Sequence, residues 1–389
     1  MITRFYVDNY KCLVNFEYKP QAMELIIGAN GSGKSTVFEA LDKVRQFAGG
    51  KVDAKGLFPV VNRTKWNTKV LQTFEIDFEN DGKEMQYRLE INLESSYSRV
   101  EKEVFRISGE VVHESIWATV EGMRYEDEDD TDPFDDHVGE IRLAKWRKEV
   151  AGSPLSNTNQ SMMGEFPIRS FGHKLNPMLL CKLNPPLIPS EIGKAVPRLN
   201  SNGSNFASYY LYVLQQKQGA MFEVISHLRE VLPGFDSFAV DEDFEQGKRR
   251  LMVNFKNLDG AKTKGAAPLK FSFDDLSDGQ RALIVLYTLL FCALDADTTL
   301  VIDEPENYIA LRELQPLIVL MEQRIEESGG QILLISHNQE FINMLTDRNR
   351  CVRFYRENNG HTRIAAFTPD AESELTAAEI VARGWEDDE

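Results

Sequence analysis

Gly28-Ala29-Asn30-Gly31-Ser32-Gly33-Lys34-Ser35 is the stretch that decides the fold. It satisfies GxxxxGK[ST] at every fixed position. Leu25-Ile26-Ile27 before it reads as a short buried strand, and an amphipathic repeat follows it. Glycines let the backbone curl until successive N–H groups converge on an anion, and the helix N-terminus brings its positive end to the same point. The pattern predicts that Gly28 to Ser35, with Thr36, enclose the phosphates of a nucleotide. Lys34 reaches the β- and γ-phosphates in this reading, and the Ser35 hydroxyl holds Mg²⁺. The competing reading is a glycine turn before a helix that binds nothing, and the flanking strand and helix weigh against it.

Working outward, Ser35 to Phe47 repeats apolar residues at Val37, Phe38, Leu41, Val44 and Phe47, a helical stripe ended by Gly49-Gly50. Phe5 to Val7 reads as a strand. Thr73 to Phe78 and Met85 to Leu93 alternate apolar and polar residues across Asn80-Asp81-Gly82-Lys83, a hairpin signal, and strand-like sequence continues through Val104 to Val120. The expectation is an antiparallel meander. Ile141 to Asn200 is weakly patterned and proline-rich. Ser204 to Gln218 and Gly219 to Leu232 read as two helices, the second closed by Pro233-Gly234. After Leu251 to Phe255 an α/β pattern resumes: a helix over Gly279 to Leu294, a buried strand at Thr299 to Ile302, a helix near Leu311 to Glu327 and a buried strand at Ile332 to Ile335.

The 389 residues carry a net charge of −17, which excludes a chain that coats nucleic acid indiscriminately. Lys248-Arg249-Arg250, with Lys256, Lys262, Lys264 and Lys270, still forms a local basic run, read either as a DNA contact or as a solvated hairpin. Glu126 to Asp136 holds eight carboxylates in eleven positions, read as a solvated loop or a contact for a basic partner. Ala282 to Leu294 is the longest apolar stretch and is too short to cross a bilayer. No charged-then-apolar leader opens the chain, and the four cysteines (Cys12, Cys181, Cys292, Cys351) are scattered. Buried thiols in a reducing cytoplasm are the simplest reading.

Three further motifs follow in order. Thr299 to Ile302 is an apolar run ending in Asp303-Glu304, where Asp303 suits a Mg²⁺ shell and Glu304 suits polarising a water. Leu276-Ser277-Asp278-Gly279-Gln280 precedes the apolar helix, and Ser277-Asp278 also suits a plain N-cap. Gln331 to Ile335 runs into Ser336-His337.

Together these resemble the ABC-type ATPases: Ser277 to Gln280 the LSGGQ signature, His337 the switch histidine. The interval of 243 positions between Lys34 and Ser277 is longer than in transport subunits, and the long helical arms of SMC proteins are lacking. What remains resembles the RecF-like and OLD-like ATPases, labelled AAA15 or AAA21. Asn9-Tyr10-Lys11, the hairpin at Phe74 to Leu93, Asn202-Gly203-Ser204-Asn205-Phe206-Ala207 and Asp303-Glu304-Pro305-Glu306-Asn307 all look like runs of that family. Three departures stand out. Asp278 takes the place of a second glycine, and Ile309-Ala310-Leu311 replaces Leu-His-Pro. The Q-loop glutamine is unplaced between Gln72 and Gln160.

The resemblance implies an α/β P-loop ATPase head with an antiparallel β meander and a mainly helical insertion. An ATPase lobe spans 1–120, an acidic loop and helical insertion 121–245, a second ATPase lobe 246–375, and a frayed acidic tail 376–389. It implies ATP and Mg²⁺ as ligands, Lys34, Glu304 and His337 as catalytic groups, Ser35 and Asp303 on the metal, and a head-to-head dimer that hydrolyses ATP. About fifty residues follow His337, fewer than the nuclease domain of OLD-like proteins needs. A separate effector is therefore expected, as in phage defence or toxin–antitoxin modules. A RecF-like DNA-repair ATPase and an ATP-dependent scaffold with negligible turnover are the alternatives, and a membrane role is not expected.

Overall fold

The computed structural model describes residues 1–49, 54–93, 98–120, 139–146, 178–243, 248–256, 268–369 and 375–384. Its central sheet has the strand order β17 (Thr362–Ala366), β16 (Cys351–Arg356), β3 (Met23–Ile27), β15 (Gln331–Ile335), β14 (Thr299–Asp303), β9 (Met178–Cys181). All neighbours run parallel except β17, which turns back on β16. β3 and β15 are buried at every residue, the pattern of strands covered on both faces. Their side chains alternate between two cores. Leu25, Ile27, Ile332 and Leu334 pack on one face, and Ile26, Leu333 and Ile335 on the other.

The first face is covered by α5 (Asp278–Cys292), α6 (Leu311–Ser328) and α7 (Gln339–Thr346), with α3 (Phe206–Gln216) and α4 (Gln218–Val231) behind them. α5 is buried from Arg281 to Leu290 without a break, so it lies inside the core rather than on it. The second face is covered by α1 (Lys34–Ala48) and α2 (Ala54–Leu57), and the expected stripe of α1 is buried at all five positions. The meander closes over them as a seven-stranded sheet. Its order is β2 (Phe16–Tyr18), β1 (Ile2–Asp8), β4 (Leu71–Asn80), β5 (Lys83–Asn92), β6 (Arg99–Ile107), β7 (Glu110–Val120), β8 (Gly139–Trp146). β4 and β5 are joined by Asp81-Gly82, both at positive φ, as a two-residue hairpin turn requires. At the base, the Ile2 amide donates to Gln331 Oε1 (3.0 Å) and Gln331 Nε2 donates back to the Ile2 carbonyl (3.0 Å), tying meander to central sheet.

A third sheet holds β10 (Glu191–Ile192), β12 (Lys248–Phe255) and β11 (Phe235–Asp243), with β13 (Leu269–Ser272) on β12. The β11–β12 hairpin straddles residue 245. The weakly patterned stretch before Asn200 supplies β9, a four-residue strand absent from the sequence reading.

The end of the chain departs from expectation. Instead of fraying from residue 376, it forms α8 (Ala377–Ala382), started by a Thr376–Glu379 capping box. Ala377 and Ala378 are buried, and the Ala378 amide donates to Asn343 Oδ1 of α7 (2.9 Å). All four cysteines are buried and free. The acidic run 126–136, Gln160, Lys262, Lys264 and residues 385–389 lie outside the described residues. Among the described residues no helix is long and apolar enough to cross a membrane.

Candidate nucleotide site

Parallel strands deliver their carboxyl ends to one edge, where open α/β sheets take ligands. β3 runs there into the glycine loop, β14 into Asp303-Glu304, β15 into Ser336-His337 and β9 into Lys182. Register puts β15 in the middle, Ile335 beside Ile26 on one side and beside Asp303 on the other. At about 4.8 Å per strand, the β3 and β14 ends are about 10 Å apart. That gap suits a phosphate and its cation.

The glycine loop is shaped from outside by the β16–β17 hairpin. Gly28 and Gly33 have φ of 140° and 107°, and a Cβ on either collides with the hairpin, with the Phe354 carbonyl and the Thr362 hydroxyl respectively. Thr362 Oγ1 donates to the Ser32 carbonyl (2.9 Å), and Arg356 Nη1 donates to the Gly31 carbonyl (3.2 Å). Ala29, Asn30 and Gly31 are exposed at the loop's tip. Lys34 is buried, with its ammonium on the Gly28 and Ala29 carbonyls. The Ser32 hydroxyl is buried with no hydrogen-bond partner among the described residues, an unmet polar atom inside the loop. Ser35 and Thr36 follow on the first turn of α1, and Ser35 is exposed.

Opposite the loop, Glu304 adopts φ 50° and ψ 58°, a left-handed backbone that is strained for a residue with a side chain. Its amide donates to the Ile335 carbonyl (2.8 Å), and Asn307 Nδ2 donates to Glu304 Oε2 (2.9 Å). Strain held by bonds of this kind fixes where a carboxylate points. The His337 imidazole is pushed below its usual range, first by desolvation and then by the Lys34 charge, with Glu304 and Asp303 pulling the other way. Lys34, Asp303, Glu304 and His337 thus share one electrostatic environment.

The residues fit Mg²⁺. Ser35 and Asp303 offer hard oxygens, and among the described residues no group of three or more His, Cys, Asp or Glu could hold a metal alone. A magnesium site that relies on one carboxylate, a hydroxyl and substrate phosphates has this composition.

The signature run is organised separately. Ser277 caps α5: its hydroxyl accepts from the Gln280 amide (3.3 Å), and its own amide donates to Gln280 Oε1 (3.0 Å). Asp278, the departure from a second glycine, is ion-paired with Arg281 at 2.6 Å. A Cβ on Gly279 would come within 2.6 Å of the Tyr308 carbonyl, so only glycine admits the Pro305–Tyr308 turn this close. A cavity of about 320 Å³ opens here, lined by Ser277, Gly279, Gln280, Tyr308, Arg312 and Glu313 among others.

Residues 1–151 match the family described as "AAA ATPase domain", and residues 189–343 match "AAA domain, putative AbiEii toxin, Type IV TA system". The crystal structure of an Smc head bound to the C-winged helix domain of ScpA matches with a TM-score of 0.51 and 12% identity, over 94% of this chain and 98% of that one. The chain shares the fold of an SMC head, and two separate stretches of it match AAA-type ATPase families. An Smc head from Pyrococcus yayanosii matches at TM-score 0.47 and 10% identity over 99% of each chain. The recombination mediator RecF matches at 0.41 and 10%, over 94% of this chain and 98% of that one. No curated protein matches the sequence.

Several residues of this site escaped the motif reading. Glu306 bridges two loops: Ser336 Oγ donates to its Oε1 (2.5 Å), as does the His337 amide (3.2 Å). Burial raises its carboxyl above the ordinary range, against the pull of those bonds. Its only signal was membership of the Asp303 to Asn307 run. Lys182, whose ammonium is 2.7 Å from Asp303 Oδ2, and the hairpin residues Arg356 and Thr362 carried no signal at all. Gln72 is not at the site: it is buried in the meander, donating to the Asn9 and Asn62 carbonyls (2.9 and 3.2 Å). Asn205 is likewise structural, its side chain bonded to the Asn200 amide (2.8 Å) and the Arg198 carbonyl (2.9 Å).

Proposed function

We propose that the chain binds Mg-ATP at Gly28 to Thr36, hydrolyses it in a head-to-head dimer, and uses the ATP state to control a separate effector protein. The observation that carries this reading is the sheet edge where Lys34, Asp303, Glu304 and His337 converge. The glycine loop is packed by the β16–β17 hairpin and the signature by α5 and Tyr308. Two subunits facing each other then complete two sites, with Ser277 to Gly279 of one closing on the γ-phosphate held by the other.

The chemistry is positional and electrostatic. Lys34 balances charge on the phosphoryl oxygens, Glu304 aligns the attacking water and takes its proton, and His337, neutral at pH 7, helps orient that water. Held by Ser35 and Asp303, Mg²⁺ supplies charge neutralisation and a template for the phosphates. Hydrolysis removes the group both faces share, so nucleotide state becomes assembly state. Complementation tests the shared site: Lys34→Ala and Ser277→Arg are each inactive alone, and mixing them restores turnover. If the mixture stays inactive while both variants fold and Ser277→Arg still binds ATP, the shared site is wrong.

The match over 189–343 to a family described by a toxin and a type IV TA system supports a toxin–antitoxin-like or defence setting. Co-expression with the product of the adjacent gene tests it: toxicity that depends on Glu304 supports the effector reading, and indifference to Glu304 opposes it. A RecF-like DNA contact is the second reading, favoured by Arg250, exposed at the start of β12. Its neighbours are engaged: Arg249 donates to the Gly193 carbonyl (3.1 Å), Lys248 faces Glu191 at 4.0 Å and Lys270 pairs with Asp241. Salt-dependent DNA binding with DNA-stimulated turnover selects this second reading. Tight ATP binding with turnover near zero selects a scaffold.

A further inference from the structure

β9 and β14 run in parallel register with Cys181 beside Ile302. The next residue of each strand, Lys182 and Asp303, therefore leaves the sheet side by side. Lys182 Nζ is 2.7 Å from Asp303 Oδ2, and its side chain is 62% exposed against 9% for Asp303. The ammonium thus meets the carboxylate from the solvent side. Its charge also faces Glu304.

Two neighbouring carboxylates at a sheet edge attract any divalent cation in solution. An ammonium in contact with one of them takes up the lone pair that a metal needs, and it repels a second cation at close range. We propose that Lys182 is a resident counter-cation of the metal subsite, holding Asp303 until a nucleotide-borne Mg²⁺ displaces it, so that metal enters with the triphosphate rather than alone. This rests on the nucleotide reading above. The exposed lysine stem gives the ammonium somewhere to go, because four flexible bonds carry it from the carboxylate into solvent without moving the sheet. A lysine therefore suits a displaceable cation better than arginine, whose planar fork holds a carboxylate through two bonds.

The test is direct binding of Mn²⁺ alone, read by electron paramagnetic resonance on the full chain without nucleotide. An ion pair open to solvent on one side is worth up to about fivefold in an equilibrium constant. Lys182→Met should therefore bind Mn²⁺ about fivefold tighter than wild type, and Lys182→Arg no tighter than wild type. Adding Asp303→Asn to Lys182→Met should erase the gain. Equal Mn²⁺ affinity in Lys182→Met and wild type overturns the inference, as does a gain that survives Asp303→Asn. If wild type binds ATP and Lys182→Met shows no gain, only this inference falls. If wild type binds no ATP, the nucleotide reading falls, whatever the Mn²⁺ titration gives.

Discussion

Glu306→Ala should slow ATP turnover without weakening ATP binding. Ser336 is fully buried, and its hydroxyl donates to Glu306 Oε1 at 2.5 Å; the His337 amide uses the same oxygen at 3.2 Å. Alanine leaves the Ser336 donor buried without that acceptor, which costs about 1–3 kcal/mol, and removes a second bond worth about 1 kcal/mol. Against this stands the cost of burying the Glu306 charge, which its raised pKa reports. A net loss of about 2 kcal/mol in the order of the His337 loop corresponds to about thirtyfold in its population. The maximal rate of phosphate release should fall by up to that factor. KM for ATP should hold within about threefold, because Lys34 and the glycine loop keep their own partners. Glu306→Gln keeps an acceptor in the same place and should restore most of the rate. Burial holds Glu306 above 4.5, so its contribution to stability is full below that pH and declines as pH rises through the raised value. Glu306→Gln does not titrate, and its melting temperature relative to wild type should rise over that window. A wild-type rate in Glu306→Ala, or a Glu306→Gln as slow as Glu306→Ala, refutes the bridging role.

Other outcomes follow from the same geometry. Gly28→Ala places a Cβ at φ 140° against the Phe354 carbonyl, and urea unfolding should show a loss of about 2–3 kcal/mol; an unchanged midpoint contradicts the packing described. Lys34→Ala should abolish binding of a fluorescent ATP analogue while leaving the melting temperature close to wild type, and retained affinity would place the phosphates elsewhere. The acidic limb of the activity profile should lie below pH 6.5, because desolvation and Lys34 keep His337 neutral to lower pH than a free histidine. A limb above that value that disappears in a His337 variant would show the opposite shift.

The elements legible in the sequence were those whose signal is local. β3, β14 and β15 are near-continuous apolar runs because both faces are covered, and α5 is apolar all round because it lies within the core. β9 escaped because four residues carry no periodicity, and its importance comes from an edge shared with a residue 121 positions away. The same holds for Glu306. Its run was readable, yet its bond to Ser336 exists only because β14 and β15 end together. Gly28 and Gly33 were read as a phosphate cradle, and the structure adds a second reason for them: the Phe354 carbonyl and the Thr362 hydroxyl lie where side chains would go. For α8 the acidic composition misled, because Ala377 and Ala378 carry the packing and Thr376 the cap.

The measurement closest to the central claim is the mass of Glu304→Gln in solution with and without Mg-ATP, by light scattering on a sizing column. With the water-aligning carboxylate removed and Lys34, Asp303 and Ser277 intact, ATP should hold two subunits together, doubling the mass, and Ser277→Arg in the same background should return it to the single-chain value. A Glu304→Gln chain that stays single with ATP bound, or one that turns ATP over at the wild-type rate, contradicts the shared-site ATPase.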